Sequence, residues 1–239
     1  MKLTPIKRKP NSRRGSEDDF PFELLAGMGG SNMLDATHPH IRVIGEFTQE
    51  MASEFAQAIG TLRKRGERAA LIEIASPGGD LFALFQMLNC MDSSGMTFAT
   101  YNSSHAYSAG AVLLAAGEKG ARFVAELSST MLHPLSTGIA PQQIEDVVAQ
   151  SRHDEELNAI MMVRLAKYLG MSRAKLAKEL QKPSEGGAAT LWLTPERCVE
   201  LGVADVVGIP TFQTETTLGV VGIAEPSQPT KPKAPRAKK

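Results

Sequence analysis

Apolar positions recur along this chain with two periods, and the alternation between those periods predicts its elements. From Ile41 onward, short β-branched runs take turns with amphipathic stretches of helix length. IRVIGEF (41–47) predicts a strand, and residues 49–66 a helix with Phe55, Ile59 and Leu62 at helical spacing. ALIEIAS (70–76) is the next strand and runs into the turn SPGGD. Residues 80–93 return to helix, and MTFATYN (96–102) to strand. Residues 108–117 are small and apolar, which suits a buried helix, and further short strands are predicted at 121–126 and 129–133. A long helix at 141–169 would carry Pro141 in its first turn and offer Ile144, Val147, Val148, Ile160, Met161 and Leu165 for packing. A helix at 172–180, a loop KPSEGGAAT (182–190), a helix at 194–202 and a closing strand at 203–207 complete the pattern. Strand–helix alternation of this kind predicts an α/β fold with a largely parallel sheet. Residues 1–37 read as an extension, 38–210 as a single domain and 211–239 as a tail.

Composition narrows the class. At 239 residues, 42% hydrophobic and 22% charged, the chain can bury a core of ordinary domain size. A disordered chain, a collagen-like chain and a disulfide scaffold are excluded. Cys90 and Cys198 lie 108 positions apart and match no metal spacing, so free thiols in a reducing compartment are expected. The longest apolar stretch, Ala109 to Ala116, is far short of the roughly 20 residues that span a bilayer. No apolar run follows the basic start MKLTPIKRKPNSRRG, so no secretory signal is expected. A soluble, cytoplasmic protein with no membrane partner is the expectation.

The zero net charge hides a segregation. Residues 1–14 carry six Lys or Arg and residues 231–239 carry five, neither with an acid. Setting these aside leaves 15 basic against 26 acidic residues between Gly15 and Thr230. The end PSQPTKPKAPRAKK has nothing apolar to bury and reads as a disordered tail. Basic ends suit nucleic acid or an acidic partner surface, or simply keep the chain soluble. The acidic body disfavours a dedicated nucleic-acid binder, because phosphates would be repelled.

Three features bear on chemistry, and each has an ordinary structural role beside the functional one. In SPGGD, Ser76 to Asp80, two glycines allow positive φ and leave N–H groups free for an anion or oxyanion, though Gly-Gly more often makes a tight turn. In HAYSAGA, Ser108 opens a small-residue helix. It is either an N-cap or a nucleophile on a strand–turn–helix elbow, although the pattern is not G-x-S-x-G. His133 in TMLHPLS ends a predicted strand and is either structural or a base working near neutral pH.

Gly79, Ser108 and His133 fall in order at spacings of 29 and 25, each at the end of a predicted strand. With IASPGGD (74–80), AYSAGAVLLAAGEKGARF (106–123), STMLHPLSTG (129–138) and WLTPERCVELGVADVV (192–207), the chain resembles the Clp protease proteolytic subunit family, including its divergent phage and plasmid relatives. The resemblance covers about residues 41–208. It implies a crotonase-like spiral ββα fold, and a serine endopeptidase acting on protein or peptide substrates in a homo-oligomeric ring, a heptamer or stacked rings. It implies Ser108 as nucleophile, His133 as general base, and the N–H groups of Gly79 and Ala109 as oxyanion hole. It implies no cofactor and no metal, and an ATP-dependent unfoldase as a partner on another chain, since no P-loop is present here. In the family the segment after the histidine pairs with an extended substrate peptide, and the long helix joins two rings.

The match breaks at the third catalytic position, an aspartate in the family. Thr190 stands there, two residues before Trp192, and supplies no charge for an imidazolium. Glu185 or Asp205 reaching His133, or a Ser–His dyad, are the alternatives, with Asp205 ranked as structural. Tyr107 and Ala109 also depart from the family's small residue and Met; Tyr107 either narrows the pocket or packs. His105 is not preferred over His133. Two further functions compete: a catalytically weak structural or assembly protein on the same scaffold, and an acyl-CoA enzyme of the crotonase fold.

Overall fold

Hydrophobic strand segments followed by capped amphipathic helices build the molecule from residue 40. The computed structural model describes residues 33–134, 144–181 and 190–211, with backbone alone over 144–150. The predicted tail, the loop carrying Glu185 and the start of the long helix at 141–143 lie outside the described residues. Strand β1 (His40–Ile44) leads to α1 (Gln49–Lys64), and β2 (Ala69–Ser76) to α2 (Leu81–Ser94). Strand β3 (Thr97–Tyr107) leads to α3 (Ala109–Ala115), β4 (Arg122–Val124) and β5 (Ser129–Leu132). Then follow α4 (Ile144–Tyr168), α5 (Arg173–Leu180), β6 (Leu191–Leu193), α6 (Pro195–Leu201) and β7 (Val206–Val207).

Local chemistry explains the helix starts. Thr48 caps α1 by accepting from Met51 N–H, and Asp80 caps α2 by accepting from Ala83 N–H at 2.6 Å. Thr194 followed by Pro195 opens α6, and Gly202 closes it at φ 82. In α1, Phe55, Ile59 and Leu62 form the buried stripe that the spacing predicts, joined by Ala52 and Ala58. Met33, ahead of β1 in the predicted extension, is also buried, and its carbonyl accepts from Arg42 N–H at 2.6 Å.

The sheet runs β1-β2-β3-β4-β7, all parallel. β3 is 11 residues long and serves two neighbours on one edge: Thr100–Asn102 pair with β4, and His105–Tyr107 pair with β5. The hydrophobic pattern ends this strand at Asn102, five residues early, because NSSHAY is polar. Asn102 itself is fully buried and bridges the hand-over, its amide donating to Ser129 O and Thr130 Oγ1, both at 3.0 Å. β6, too short at three residues to show a period, joins β5 antiparallel. One sheet face packs the core around Ile41, Ile72, Ile74 and Leu113. The other presents Arg42, Glu73, Tyr101 and Phe123 in one register row, with Ile44 55% exposed. Among the described residues no helix covers that face, which is unusual for a parallel sheet.

A buried ion pair closes the far end. Arg122, only 2% exposed, is held in a fork by Asp205: Nε to Oδ2 at 2.8 Å and Nη2 to Oδ1 at 2.6 Å. Its Nη1 donates to Gly202 O and Tyr168 O, which ties β4 to the ends of α4 and α6. Burial pushes the Asp205 carboxyl up. Hydrogen bonds from Arg122 and Gly120 N–H outweigh that and hold it below its ordinary value. Its stabilisation is therefore present above the unfolded value near about pH 4 and is lost as pH falls through the lower folded value. Asp205→Ala should cost about 3–5 kcal/mol by stranding the guanidinium. Urea unfolding at pH 7 and at acid pH tests this: the variant should lose stability at pH 7 and show a weaker acid dependence than the parent.

Candidate active site

Ser108 lies where β3 turns into α3, and it is the one non-glycine residue with positive φ among the described residues, at φ 53 and ψ −116. It occupies the N-cap position of α3 but makes no side-chain cap hydrogen bond. The simple cap role is therefore not what the hydroxyl performs. Ser108 N–H donates to Met131 O at 2.8 Å, which ties the elbow to β5. Because β5 runs parallel to β3 with Tyr107 opposite Met131, His133 comes out at the same end of the sheet as Ser108.

The Gly-Gly turn closes against this elbow. Gly78 adopts φ 94, and a Cβ there would sit 2.8 Å from Ser108 Cβ and from Tyr107 O. Gly79 adopts φ 142, and a Cβ there would meet the Phe47 backbone at 2.6 Å. Phe47 brackets Gly79 in a parallel bridge, donating to Gly78 O and accepting from Asp80 N–H, which leaves Gly79 N–H on the opposite side of the strand. Among the described residues, neither Gly79 N–H nor Ala109 N–H donates to a protein acceptor. Both residues line one cavity of about 80 Å³ together with Ser108 and His133.

The remaining walls are mostly apolar: Leu84, Val112 and Leu132 on one side, and Asn158, Met161 and Met162 from α4 on the other. Met161 is among the packing residues the helical period predicts, but the period does not say that it faces this cavity. Asn158 and Met162 are missed by the sequence reading; their signal is the i, i+3, i+4 spacing from 158. A larger cavity of about 630 Å³ lies between α2 and α4, lined by Phe85, Leu88, Ile160 and Val163 among others, with no nucleophile–base pair.

Several candidates point elsewhere. Tyr107 does not line the cavity; it packs between His105 and Trp192, with ring centroids 5.3 and 5.2 Å away. His105 Nδ1 lies 3.0 Å from Ser104 Oγ. Asp205 is held by Arg122. Thr190 is half-buried ahead of β6 and makes no hydrogen bond to His133. The His133 ring has another partner: Nδ1 contacts the carbonyl of Pro134. A carbonyl only accepts, so a hydrogen bond there would place the proton on Nδ1 and leave Nε2 as the basic nitrogen. The thiol of Cys198 is buried under α6 and pushed up to about 11 by burial, which makes it inert. No group of three or more His, Cys, Asp or Glu among the described residues is placed to hold a metal.

A model of the Clp protease family matches residues 31–210. The chain belongs to that family. It is 33% identical over 134 residues to the ATP-dependent Clp protease proteolytic subunit 4 of Rhodococcus jostii, covering 56% of this chain and 65% of that protein. It is 27% identical over 193 residues to subunit 2 of Corynebacterium diphtheriae, covering 78% and 93%. With subunit 1 of Corynebacterium glutamicum the match is 30% over 141 residues, covering 59% and 64%. The R. jostii and C. glutamicum matches thus span less than two thirds of those relatives.

For this Clp-family chain the elbow rests on Gly78, and a paired substitution isolates that. Gly78 and Gly45 have nearly equal φ, 94 and 97, but a Cβ at Gly45 meets nothing within 4 Å. Both alanine variants should lose about 1–2 kcal/mol to backbone strain. Gly78→Ala should lose a further 1–3 kcal/mol or so from overpacking against Ser108. Thermal unfolding of the two variants side by side measures the difference, and equal losses would show that the elbow gives way freely.

Proposed function

We propose that this chain is a Clp-type serine endopeptidase that attacks peptide bonds with Ser108. The observation that carries the proposal is the strained elbow, whose uncapped Ser108 lines one cavity with His133, a histidine whose Nδ1 contacts a carbonyl. In this reading His133 Nε2 takes the Ser108 proton as Oγ bonds to the peptide carbonyl carbon. The carbonyl oxygen becomes an oxyanion that accepts from Gly79 N–H and Ala109 N–H, donors worth about 10²–10³ in rate each. The imidazolium then protonates the leaving amine as the C–N bond breaks. Water, activated by the same nitrogen, hydrolyses the acyl-enzyme and regenerates Ser108. The apolar cavity walls favour an apolar side chain on the acyl side of the cut bond.

Exposed apolar side chains support assembly with further copies: Phe82 on α2, Ile160 and Val163 on α4, and Trp192 on β6 are each more than half exposed. A homo-oligomeric ring is the arrangement proposed. The relatives' names describe ATP-dependent proteases, and this sequence holds no P-loop. ATP use, within this proposal, belongs to an unfoldase on a separate chain. The two free thiols support a reducing, cytoplasmic setting, and no helix among the described residues is long and apolar enough to cross a membrane. One observation favours a second reading, a weak or inert scaffold: no carboxylate among the described residues contacts His133.

Covalent labelling by a fluorophosphonate, read by intact mass, separates the two. The peptidase reading expects one adduct per chain that disappears in Ser108→Ala and falls at least 100-fold in rate in His133→Ala. It also expects cleavage of unstructured peptides after apolar residues, lost in Ser108→Ala. Absence of label on folded, assembled protein sinks the enzyme reading in favour of the scaffold. Activity that survives Ser108→Ala would point instead to crotonase-type chemistry.

A further inference from the structure

The question left by the site is what orients His133. In the antiparallel ladder of β5 and β6, Thr130 pairs with Leu193, Met131 with Trp192 and Leu132 with Leu191. Continuing that register by one residue sets position 190 directly opposite His133. Side chains directly opposite in such a ladder have Cβ atoms about 4.5–5.5 Å apart on the same face. Position 190 is therefore the place from which a neighbouring strand can reach the imidazole. Thr190 stands there and makes no hydrogen bond to the ring, while the ring is engaged at Nδ1 by the carbonyl of the next residue, Pro134. The one carboxylate of the adjoining closing segment, Asp205, is taken up by Arg122 and Gly120 N–H.

Resting on the peptidase reading above, we infer that the Pro134 backbone carbonyl is the positioning group for His133, so that the site works as a Ser–His pair with a neutral orienter. The carbonyl performs half of what a carboxylate does. It selects the tautomer with hydrogen on Nδ1 and a free Nε2, and it fixes the ring plane. It does not supply a negative charge to balance the imidazolium that forms when Ser108 gives up its proton. In a Ser-His-Asp triad, neutralising the carboxylate drops kcat by about 10⁴. A site oriented by a carbonyl keeps part of that loss. It also leaves position 190 as a place where charge can be restored.

Two measurements test this, and only one depends on turnover. The first is the ¹⁵N spectrum of the imidazole in histidine-labelled full-length protein, with the His133 signal assigned through His133→Gln among the five histidines. The expected result is the tautomer protonated on Nδ1, retained in Thr190→Val and in Glu185→Gln. An Nε2-protonated ring in the parent overturns the inference. Loss of the Nδ1 proton signal in Thr190→Val would make the threonine hydroxyl the orienter, and loss in Glu185→Gln would give that role to the glutamate; either overturns it. The second is Thr190→Asp assayed on a peptide substrate, with kcat and KM separated. A rise in kcat of roughly tenfold or more with KM within about threefold is expected, because the added charge acts on the imidazolium and not on substrate binding. Where the parent turns over, unchanged or lower kcat in a folded Thr190→Asp overturns the inference. If no variant acylates yet the tautomer is as stated, the peptidase reading fails while the orientation of His133 by Pro134 stands.

Discussion

Ser108 is held at φ 53, a conformation that costs a non-glycine residue about 1–3 kcal/mol. The elements around it are arranged to keep it there. From one side β5 grips its N–H through Met131 O; from the other, Gly78 packs so closely that a methyl group would overlap Ser108 Cβ. Behind it, Gly110 lies against Ser76 O, where a Cβ would come within 3.3 Å, so α3 can sit directly on the end of β2. Ser76 is itself fully buried and accepts from Gly78 N–H, which shapes the turn that presses on the elbow. Strain at one residue is thus carried by three strands and a turn. Release at any of these contacts would let the serine relax.

The same economy appears at the opposite end of the sheet, where a charge does the fixing. Arg122 gathers the ends of α4 and α6 because its fork of donors meets a carboxylate and two carbonyls in one buried place. This explains why Asp205 is unavailable to the site although its segment closes the sheet. Among the described residues, the polar partner of the His133 ring is the carbonyl of its own neighbour, Pro134. Local backbone geometry replaces a long-range charge, which is cheaper to build and weaker in effect.

Much of this was legible in the residues. Strand–helix order followed from apolar period. Spacing among Gly79, Ser108 and His133 placed all three at strand ends, and the structure brings them to one cavity wall. What escaped was governed by contacts between distant segments. Residues 103–105 are polar, and pairing of 105–107 with β5 and of Ala106 with β2 makes this stretch strand; ending the strand at Asn102 also hid that Ser108 lines the cavity and Tyr107 does not. Leu191–Leu193 forms a strand because β5 offers an edge, which three residues do not announce. Asn158 and Met162 reach the cavity because α4 lies across it, a fact of packing and not of period. The orientation of His133 by a main-chain carbonyl leaves no mark in side-chain identity at all.

In the proposed peptidase, the elbow and the Gly-Gly turn form one oxyanion site beside Ser108. A crystal structure of the protein with a peptide boronate checks this geometry. The account predicts a tetrahedral boron bonded to Ser108 Oγ, with one boron-bound oxygen about 2.7–3.1 Å from both Gly79 N and Ala109 N. An adduct whose oxygen points to solvent, with either amide unengaged, would contradict it.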